Sequence, residues 1–348
     1  MLSVTKVWGK GKALRQSASR LTEMSNTEVP QAIPISSGAG KETCILCGSA
    51  LERILSGLTD TRFGTPGSYE VHRCSECGLE QTWPVPSLAD LKTLYEAQYN
   101  FGGERGTRYT RWRERFLMSF LYSLWIRLDG DISFHSRDGS GRLLDVGCNE
   151  GRGLRIYARN GFHAEGLELN ERAAMQAKNS GFNVYTCLLG DYMPAIPYDV
   201  AVLSNVLEHS LDPQQMLRDV HRILNNNGKV WISCPSGQSW LRKIFGTSWI
   251  NWHVPFHIFH FSPKVLRELL ADTGFTCIEV RQITPALWVA QSLIAYCFAR
   301  KGRKTRQLRN PFLTVFLMLF ARFLLFPALW IGNRIGRGDC LLAVAAKA

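Results

Sequence analysis

The sequence predicts an α/β fold whose sheet carries a site for a nucleotide-like ligand. The stretch GRLLDVGC indicates a short apolar strand and a turn, and RGLRIYARNGF has a helical pattern that Gly161 closes. A second strand, AEGLEL, follows, so residues 141–170 form a βαβ unit. A glycine-rich first turn in such a unit places a ligand over the carboxyl ends of the strands.

The composition is that of a globular protein with a basic charge balance. The 348 residues, 45% of them hydrophobic, can bury a sizeable core. The net charge of +12 favours an acidic partner, either nucleic acid or an anionic membrane face. Ten cysteines in so long a chain do not indicate a disulfide scaffold, and they favour a reducing, cytoplasmic compartment.

The loop after the first strand of the βαβ unit favours a cationic ligand. A dinucleotide fingerprint requires glycines at three positions, where the chain has Gly147, Asn149 and Arg152. Glu150 stands at the start of the next helix, where its carboxylate would repel a pyrophosphate. S-adenosylmethionine has a cationic sulfonium and no phosphate, and Glu168 ends the second strand where it can bind both ribose hydroxyls. This loop therefore suits S-adenosylmethionine.

Residues 140–284 resemble the class I S-adenosylmethionine-dependent methyltransferases. The residues that match the family's first motif and its ribose-binding acid are Asp145, Gly147, Gly151, Gly153 and Glu168. The stretch YDVAVLSNVLEHSLDP resembles the family's fourth strand and turn, and LRDVHRILNNNGKVWISCPS resembles its next helix, turn and fifth strand. The resemblance implies a Rossmann-like, seven-stranded sheet and S-adenosylmethionine as cofactor.

The same resemblance implies further contacts to the donor. Asp191, in GDYMP, falls where the family contacts adenine, and Asn205 lies in the turn after the fourth strand. Asn149 stands where the family usually has glycine. Because asparagine tolerates left-handed backbone better than most residues, we expect the turn to survive this departure.

Two pairs of cysteines upstream predict a structural zinc site. CILC contains Cys44 and Cys47, and CSEC contains Cys74 and Cys77, with 26 residues between the pairs. Four thiolates suit tetrahedral zinc at about 2.3 Å per bond and leave no open position for a catalytic water. A chance pairing or a redox motif is the alternative.

The segment that follows these cysteines bears on the substrate. TWPVPSLADLKTLYEAQY resembles the linker after the zinc knuckle in bacterial methyltransferases, including those that modify deoxysugars. Zinc-ribbon methyltransferases that act on ribosomal RNA also exist. The predicted organisation is a disordered basic tail at 1–40, a zinc-ribbon-like element at 41–90, a helical linker at 91–138, the donor-binding core at 139–284, an apolar helical insertion at 285–338 and the last core strand at 339–348.

Three histidines, His253, His257 and His260, precede a helix for which Ser262 is the expected N-cap. Their spacing suggests a metal site, but the stretch is aromatic, broken by proline and without a nearby acid. In the sugar C-methyltransferases that this region resembles, an acid precedes the histidine, whereas here Phe256 precedes His257. This departure favours transfer to oxygen, with His257 as the base that removes a hydroxyl proton.

His209, in LEHSLDP, is the second candidate base. It follows the fourth strand, and the family resemblance places it near the methyl donor. For both histidines the alternative is a structural hydrogen-bonding role. Positioning of an already activated donor also contributes much of the rate without a strong base.

An apolar insertion separates the predicted sixth strand (277–283) from the last strand (340–344). PALWVAQSLIAYCFA and PFLTVFLMLFARFLLFPALWIG flank the basic segment RKGRKTRQLRN. The second stretch has the length of a membrane span, although Arg322 costs ~3 kcal/mol at its centre. One crossing would separate the last strand from its sheet, and two would export the basic segment. We therefore expect residues 286–335 to lie on the inner membrane face, with a buried lid or dimer contact as the alternative.

The sequence favours an enzyme that methylates a hydroxyl of a small-molecule or lipid-linked glycan acceptor. RNA methylation is a second hypothesis, since a basic run interleaved with aromatics could contact phosphates. That run contains Arg105, Arg108, Arg111, Arg113 and Arg115. A solvated helix face is the simpler interpretation of the run. A zinc-containing binding module without activity is the third hypothesis, and the intact Asp145 and Glu168 argue against it.

Overall fold

The computed structural model describes residues 43–98 and 108–348. Its strands are β1 (Leu51–Leu58), β2 (Tyr69–Cys74), β3 (Glu80–Trp83), β4 (Arg142–Val146), β5 (His163–Leu167), β6 (Val184–Tyr185), β7 (Tyr198–Ser204), β8 (Leu224–Pro235), β9 (Phe259–His260), β10 (Phe275–Ile283) and β11 (Cys340–Lys347). Its helices are α1 (Leu88–Gln98), α2 (Arg108–Leu117), α3 (Phe120–Asp129), α4 (Arg152–Arg159), α5 (Glu171–Asn179), α6 (Pro213–Ile223), α7 (Leu241–Phe245), α8 (Pro263–Asp272), α9 (Ala286–Phe298), α10 (Pro311–Leu324) and α11 (Phe326–Arg334). The tail predicted at 1–40 and Arg105 of the basic run lie outside the described residues.

Seven strands of the described chain form one mixed sheet. Their order is β10-β11-β8-β7-β4-β5-β6, and β11 is antiparallel to both of its neighbours. The neighbours from β8 through β7, β4 and β5 to β6 are parallel to one another. The order confirms the predicted seven-stranded Rossmann-like sheet, in which the last strand of the chain, β11, lies between β8 and β10.

Both faces of this sheet are covered, as a largely parallel sheet requires. Leu144 packs into the cluster that holds Leu217 of α6, whereas its neighbour Leu143 packs on the other face with Tyr157 of α4 and Trp288 of α9. This alternation follows from the two-residue period of a strand. It leaves the carboxyl edge of the sheet as the place where loops can form a site.

Two helix caps fix the loops that carry the histidines. Asp212 caps α6 by accepting from the Gln215 amide at 2.8 Å, directly after the turn that contains His209. Ser262 caps α8 by accepting from the Val265 amide at 3.2 Å, which confirms the predicted cap. These caps satisfy backbone N–H groups that a helix start otherwise leaves without partners.

A second, antiparallel sheet joins the N-terminal cysteine element to a distant part of the chain. Its strand order is β1-β2-β3-β9, and β9 comes from the histidine-rich stretch. Glu80 of β3 pairs with His260 of β9, and Gln81 pairs with Phe259. The sequence did not indicate this pairing, because the two strands are short and far apart along the chain.

The apolar stretch predicted as one membrane-length segment forms two helices. α10 and α11 meet at 70°, and in the described part of the chain no single helix is long and apolar enough to cross a membrane. Arg322 is buried and donates to Asp129, with Nε 2.9 Å from Oδ1. It also donates to the Thr284 carbonyl at 3.0 Å. The one charge within α10 is therefore turned toward the core and paired there.

Candidate active site

The glycine-rich turn after β4 adopts left-handed backbone at three positions. Gly147, Asn149 and Gly151 have φ values of 74°, 49° and 75°. The Asn149 side-chain amide donates to the Gly147 carbonyl at 3.0 Å, which stabilises the turn without a glycine at that position. The Gly147 amide donates to the Leu167 carbonyl at 2.7 Å, so the turn is held against the end of β5.

Two glycines in or beside this turn stand where a larger residue would fit only tightly. A Cβ atom at Gly153 would lie 3.0 Å from Asp145 Oδ2 and would crowd that carboxyl. A Cβ atom at Gly147 would lie 3.0 Å from Val206 Cγ2. The second contact matters for function, because it places the loop after β4 directly against the segment after β7, which carries Glu208 and His209.

Two acidic residues, Asp145 and Glu168, lie beside this loop, and burial disfavours the ionised form of each. Glu168 accepts from the backbone amides of Asn149 at 2.9 Å and Asn170 at 2.7 Å, which fix its carboxylate beside the turn. Burial raises the pKa of Glu168. Burial and, second, the charge of Glu168 raise the pKa of Asp145 to about 7. A ligand that brought positive charge and hydroxyl donors would stabilise both ionised carboxylates.

The remaining predicted donor residues lie along the same edge of the sheet. Asp191 is exposed and ends a short 3₁₀ turn after β6. Asn205 directly follows β7 with a φ of 55°, and its amide donates to the Ser233 carbonyl at 2.9 Å. Because β4 to β7 are parallel neighbours, their carboxyl ends place these residues on one side of the sheet.

The loop and its acids fit S-adenosylmethionine. Gly147, Asn149 and Gly151 give the backbone a close approach to a ligand. Glu168 has its carboxylate fixed at the end of β5, where two ribose hydroxyls can donate to it. The pair of buried carboxyls, Asp145 and Glu168, suits a cation and not a phosphate. These residues would hold the donor.

A buried group of histidines lies next to the donor loop. His257 Nδ1 is 2.8 Å from the Asn251 carbonyl, and His209 Nδ1 is 2.9 Å from the Phe256 carbonyl. A carbonyl only accepts, so His257 Nδ1 carries its proton and His257 Nε2 is an acceptor. His209 Nδ1 also lies 3.0 Å from the Tyr95 hydroxyl. The two rings are 4.6 Å apart. The two predicted bases therefore lie side by side, and the group of buried side chains around them is called here the histidine pocket.

Glu208 completes this pocket and was missed by the sequence analysis. Its carboxyl is fully buried, and Oε1 lies 4.0 Å from His257 Nε2. Among the described residues, neither carboxylate oxygen has a hydrogen-bond partner, which is rare for a buried carboxyl. The sequence signal was its place beside His209, directly after a buried strand, at the edge where ligands bind.

An acid therefore lies near His257, but it comes from another part of the chain and not from the residue before the histidine. Phe256 precedes His257 and is buried, while Glu208 supplies the carboxyl from the turn after β7. The ligand-type atoms of Glu208, His209 and His257 lie within 4.8 Å of one another, a set that can also hold a divalent cation. His253 and His260, which the sequence grouped with His257, are buried beside it and are not part of that set.

Burial keeps the groups of this pocket neutral. It raises the pKa of Glu208 to about 8 and lowers the pKa of His209 to about 4. Burial, and second the neighbouring His209, lower the pKa of His257 well below its usual value. Near pH 7 the pocket therefore holds a protonated carboxyl beside neutral imidazoles.

The four predicted zinc ligands converge. The sulfur atoms of Cys44, Cys47, Cys74 and Cys77 all lie within 4.8 Å of one another. The Cys44–Cys77 and Cys47–Cys74 sulfur distances are 3.5 and 3.4 Å, too long for disulfides. They are close to the edge of about 3.8 Å that a tetrahedron with 2.3 Å Zn–S bonds requires. The donor set and its spacing fit a zinc ion.

The two cysteine turns are built alike. The Cys44 amide donates to the Ser49 carbonyl and the Cys74 amide to the Leu79 carbonyl, both at 2.9 Å and both across five residues. Burial raises the pKa of Cys44, whereas a hydrogen bond from the Ser49 side chain lowers the pKa of Cys47 to about 6. The two turns thus bring the four sulfur atoms to one place.

Hydrogen bonds connect the cysteine element to the histidine pocket. Thr82 of β3 donates through its hydroxyl to the His257 carbonyl at 2.7 Å and through its amide to the Ile258 carbonyl at 2.8 Å. The Ile258 amide in turn donates to the Glu208 carbonyl at 2.8 Å. The N-terminal sheet thus helps to position both Glu208 and His257.

Comparisons with known proteins agree with this geometry. A family model described as a methyltransferase domain matches residues 109–280. Ubiquinone biosynthesis O-methyltransferases from Escherichia coli K12 and Shigella boydii are each 30% identical over 161 residues, covering 41% of this chain and 64% of the relative. The chain thus spans slightly less than two thirds of the length of these relatives.

Solved methyltransferase structures also resemble parts of the chain. One, described as a possible histamine N-methyltransferase from Thermotoga maritima, has a TM-score of 0.42 and 17% identity over 68% of this chain and 98% of its own. A S-adenosylmethionine-dependent methyltransferase from Archaeoglobus fulgidus has a TM-score of 0.42 and 20% identity over 66% of this chain and 100% of its own.

Proposed function

We propose that the protein is an S-adenosylmethionine-dependent methyltransferase that transfers a methyl group to a hydroxyl of a sugar or glycan. The first support is the match of residues 109–280 to a family model described as a methyltransferase domain. Transfer to oxygen is supported by the relatives, which are named O-methyltransferases. The sugar class is supported by the cysteine element and the linker that follows it, which resemble those of bacterial deoxysugar methyltransferases. A lipid-linked glycan is an acceptor of the same chemistry.

The observation that carries this proposal is the unpaired carboxyl of Glu208 beside His257. A buried carboxyl without a partner is costly unless a bound group supplies one. Glu208 Oε1 and His257 Nε2 are 4.0 Å apart, so a hydroxyl oxygen placed to one side of the line between them could hydrogen-bond to both. The Val206 side chain, two residues before Glu208, lies close to Gly147, so this site is next to the donor loop.

The residues of the pocket handle the proton that leaves the acceptor. Bound S-adenosylmethionine supplies an electrophilic methyl group on a sulfonium, so the acceptor needs only a modest base. His257 Nδ1 carries a proton and donates to the Asn251 carbonyl, so Nε2 is the nitrogen that accepts the hydroxyl proton. The ionised form of Glu208 then stabilises the imidazolium at close range. His209, in contact with the His257 ring, orients it.

This account predicts a specific pH dependence. The pKa of Glu208 is raised to about 8, so its carboxylate is populated only as the pH rises through that value. We expect kcat/KM to rise with pH up to about 8, and Glu208→Gln to move the remaining acid limb below the usual histidine pKa of about 6.5. A wild-type profile that is already flat well below pH 8 would contradict this role for Glu208.

We also propose that the four-cysteine cluster holds a structural zinc. Metal analysis should give one zinc per chain, and Cys74→Ser should lose it and lower the melting temperature. Because Thr82 connects this element to His257, turnover should fall while donor affinity holds. Cys297→Ser, at an exposed cysteine in α9, is the control and should change neither. Zinc-free protein with unchanged melting temperature and turnover would defeat the proposal.

The acceptor can be found by comparing cells with and without the protein. Mass spectrometry of envelope glycans and lipids should show one species that lacks a methyl group in the deletion strain and regains it with the wild-type gene. Restoration should fail with His257→Gln. A missing methyl group in ribosomal RNA, with unchanged glycans and lipids, would favour RNA methylation and overturn the sugar assignment.

A further inference from the structure

α10 is an apolar helix whose exposed face is entirely hydrophobic. The exposed residues on α10 are Phe312, Val315, Phe316, Leu319, Phe320, Phe323 and Leu324. They recur at intervals of three and four residues and therefore form one stripe along the helix. Phe312 is 86% exposed, and Phe316 and Leu324 are 65% and 69% exposed. Over 14 residues this stripe is about 21 Å long.

The polar group of this helix lies on the opposite side. Arg322 is only 4% exposed and forms an ion pair with Asp129 at the end of α3, with 2.5 Å between Nη2 and Oδ1. The Ala286 amide of α9 also donates to Asp129, at 2.9 Å. A surface helix of a water-soluble domain normally has its apolar stripe inside and its charges outside. α10 has the reverse arrangement.

Neighbouring helices extend this apolar surface. α11 exposes Phe326, Trp330 and Ile331, and Ile335 directly after it is also exposed. Trp125 of α3, Met318 of α10 and Leu325 pack against one core cluster. α3, whose Asp129 pairs with Arg322 of α10, also exposes Phe120, Leu121, Leu124 and Leu128. A contiguous apolar area of this kind marks a surface that a partner covers.

The charges beside α10 indicate which partner that is. The exposed basic residues of the segment that leads into the helix are Arg300, Lys301, Arg303, Lys304, Arg306 and Arg309. The sequence from residue 286 to residue 338 contains no aspartate or glutamate. An apolar stripe next to a segment that has basic residues and no acidic ones is complementary to a bilayer with anionic headgroups.

We propose that α10, α11 and the segment 300–309, called here the lipid face, dock the protein on an anionic bilayer surface. The apolar stripe of α10 would enter the boundary of the acyl chains, while the basic segment would contact the headgroups. α9 follows β10 and α11 precedes β11, and these strands pair in the same sheet. The sheet therefore holds both ends of the insertion on one side of the membrane. This inference does not depend on the proposed activity.

Vesicle flotation of the zinc-loaded full chain tests the inference in the absence of methyl donor. The protein should float with vesicles that contain phosphatidylglycerol, bind phosphatidylcholine vesicles poorly, and detach as salt rises. Phe316→Asp with Phe323→Asp should abolish flotation, since both side chains are exposed and outside the core. Ile278→Asp, at a residue 59% exposed on β10, is the matched control and should float like the wild type.

A charge-reversed variant separates the basic segment from the apolar stripe. Each basic residue near an anionic leaflet strengthens binding about fivefold, so Arg306→Glu with Arg309→Glu should weaken partitioning by at least about 25-fold. The alternative partner for the lipid face is a second copy of the chain, and sedimentation of the protein without lipid tests for such a dimer. A wild-type dimer that Phe316→Asp with Phe323→Asp makes monomeric, with no vesicle binding, would overturn the inference. A wild-type protein that is monomeric and binds none of the vesicles would also overturn it.

Discussion

Replacing His257 with Gln is expected to lower turnover by roughly 10²–10⁴-fold, with donor affinity nearly unchanged. The glutamine side chain has no basic nitrogen and cannot accept the acceptor's proton in place of Nε2. Its amide nitrogen is one bond further from the backbone than His257 Nδ1, which now donates to the Asn251 carbonyl at 2.8 Å. The variant therefore removes the base together with that hydrogen bond. Steady-state kinetics above pH 8, where Glu208 is ionised, measures the effect.

Two companion variants make the result specific. Glu208→Gln keeps the shape of the side chain and removes its charge, so we expect a smaller loss of turnover together with the shifted pH profile described above. His163→Ala, at an exposed histidine in β5, should leave turnover unchanged. Wild-type turnover in His257→Gln would assign His257 a structural role, and His209 would then be the group to test.

Replacing Glu168 with Ala is expected to weaken S-adenosylmethionine binding by about 1–3 kcal/mol, because the ribose hydroxyls would lose their acceptor. The loss includes an indirect part, since Glu168 also accepts from the amides of Asn149 and Asn170 and so holds the loop. Equilibrium dialysis with labelled donor measures the affinity directly.

The control for this variant lies three residues along the chain. Glu171 is an exposed acid in the first turn of α5, and Glu171→Ala removes the same charge without reaching the loop. Its donor affinity should match that of the wild type. An unchanged affinity in Glu168→Ala would mean that the donor binds elsewhere on the sheet.

Local sequence signals predicted much of the fold and of the donor loop. The strand before Asp145 and the helix after Gly151 follow from hydrophobic period and glycine position, both of which act over a few residues. The left-handed backbone at Asn149 was predictable in the same way, from the tolerance of asparagine for that conformation. The cysteine cluster was predictable because metal coordination fixes the spacing of its ligands along the chain.

Features that depend on contacts between distant segments were not predictable in this way. Glu208 lies opposite His257 only because β7 and the histidine-rich stretch meet in space, so the sequence left His257 without an acid. The pairing of β3 with β9 is set by packing and not by either short strand alone. The burial of the Arg322 side chain depends on its ion-pair partner, Asp129, which lies 193 residues away in the chain, so the sequence around Arg322 could not predict it.

The central claim is that the loop at Gly147–Gly153 and Glu168 form a site for S-adenosylmethionine. A calorimetric titration of this donor into folded, zinc-loaded wild-type protein tests it most directly. The account predicts binding of one donor per chain, and clearly weaker binding in Glu168→Ala than in Glu171→Ala. Folded wild-type protein that binds neither S-adenosylmethionine nor S-adenosylhomocysteine would contradict the account.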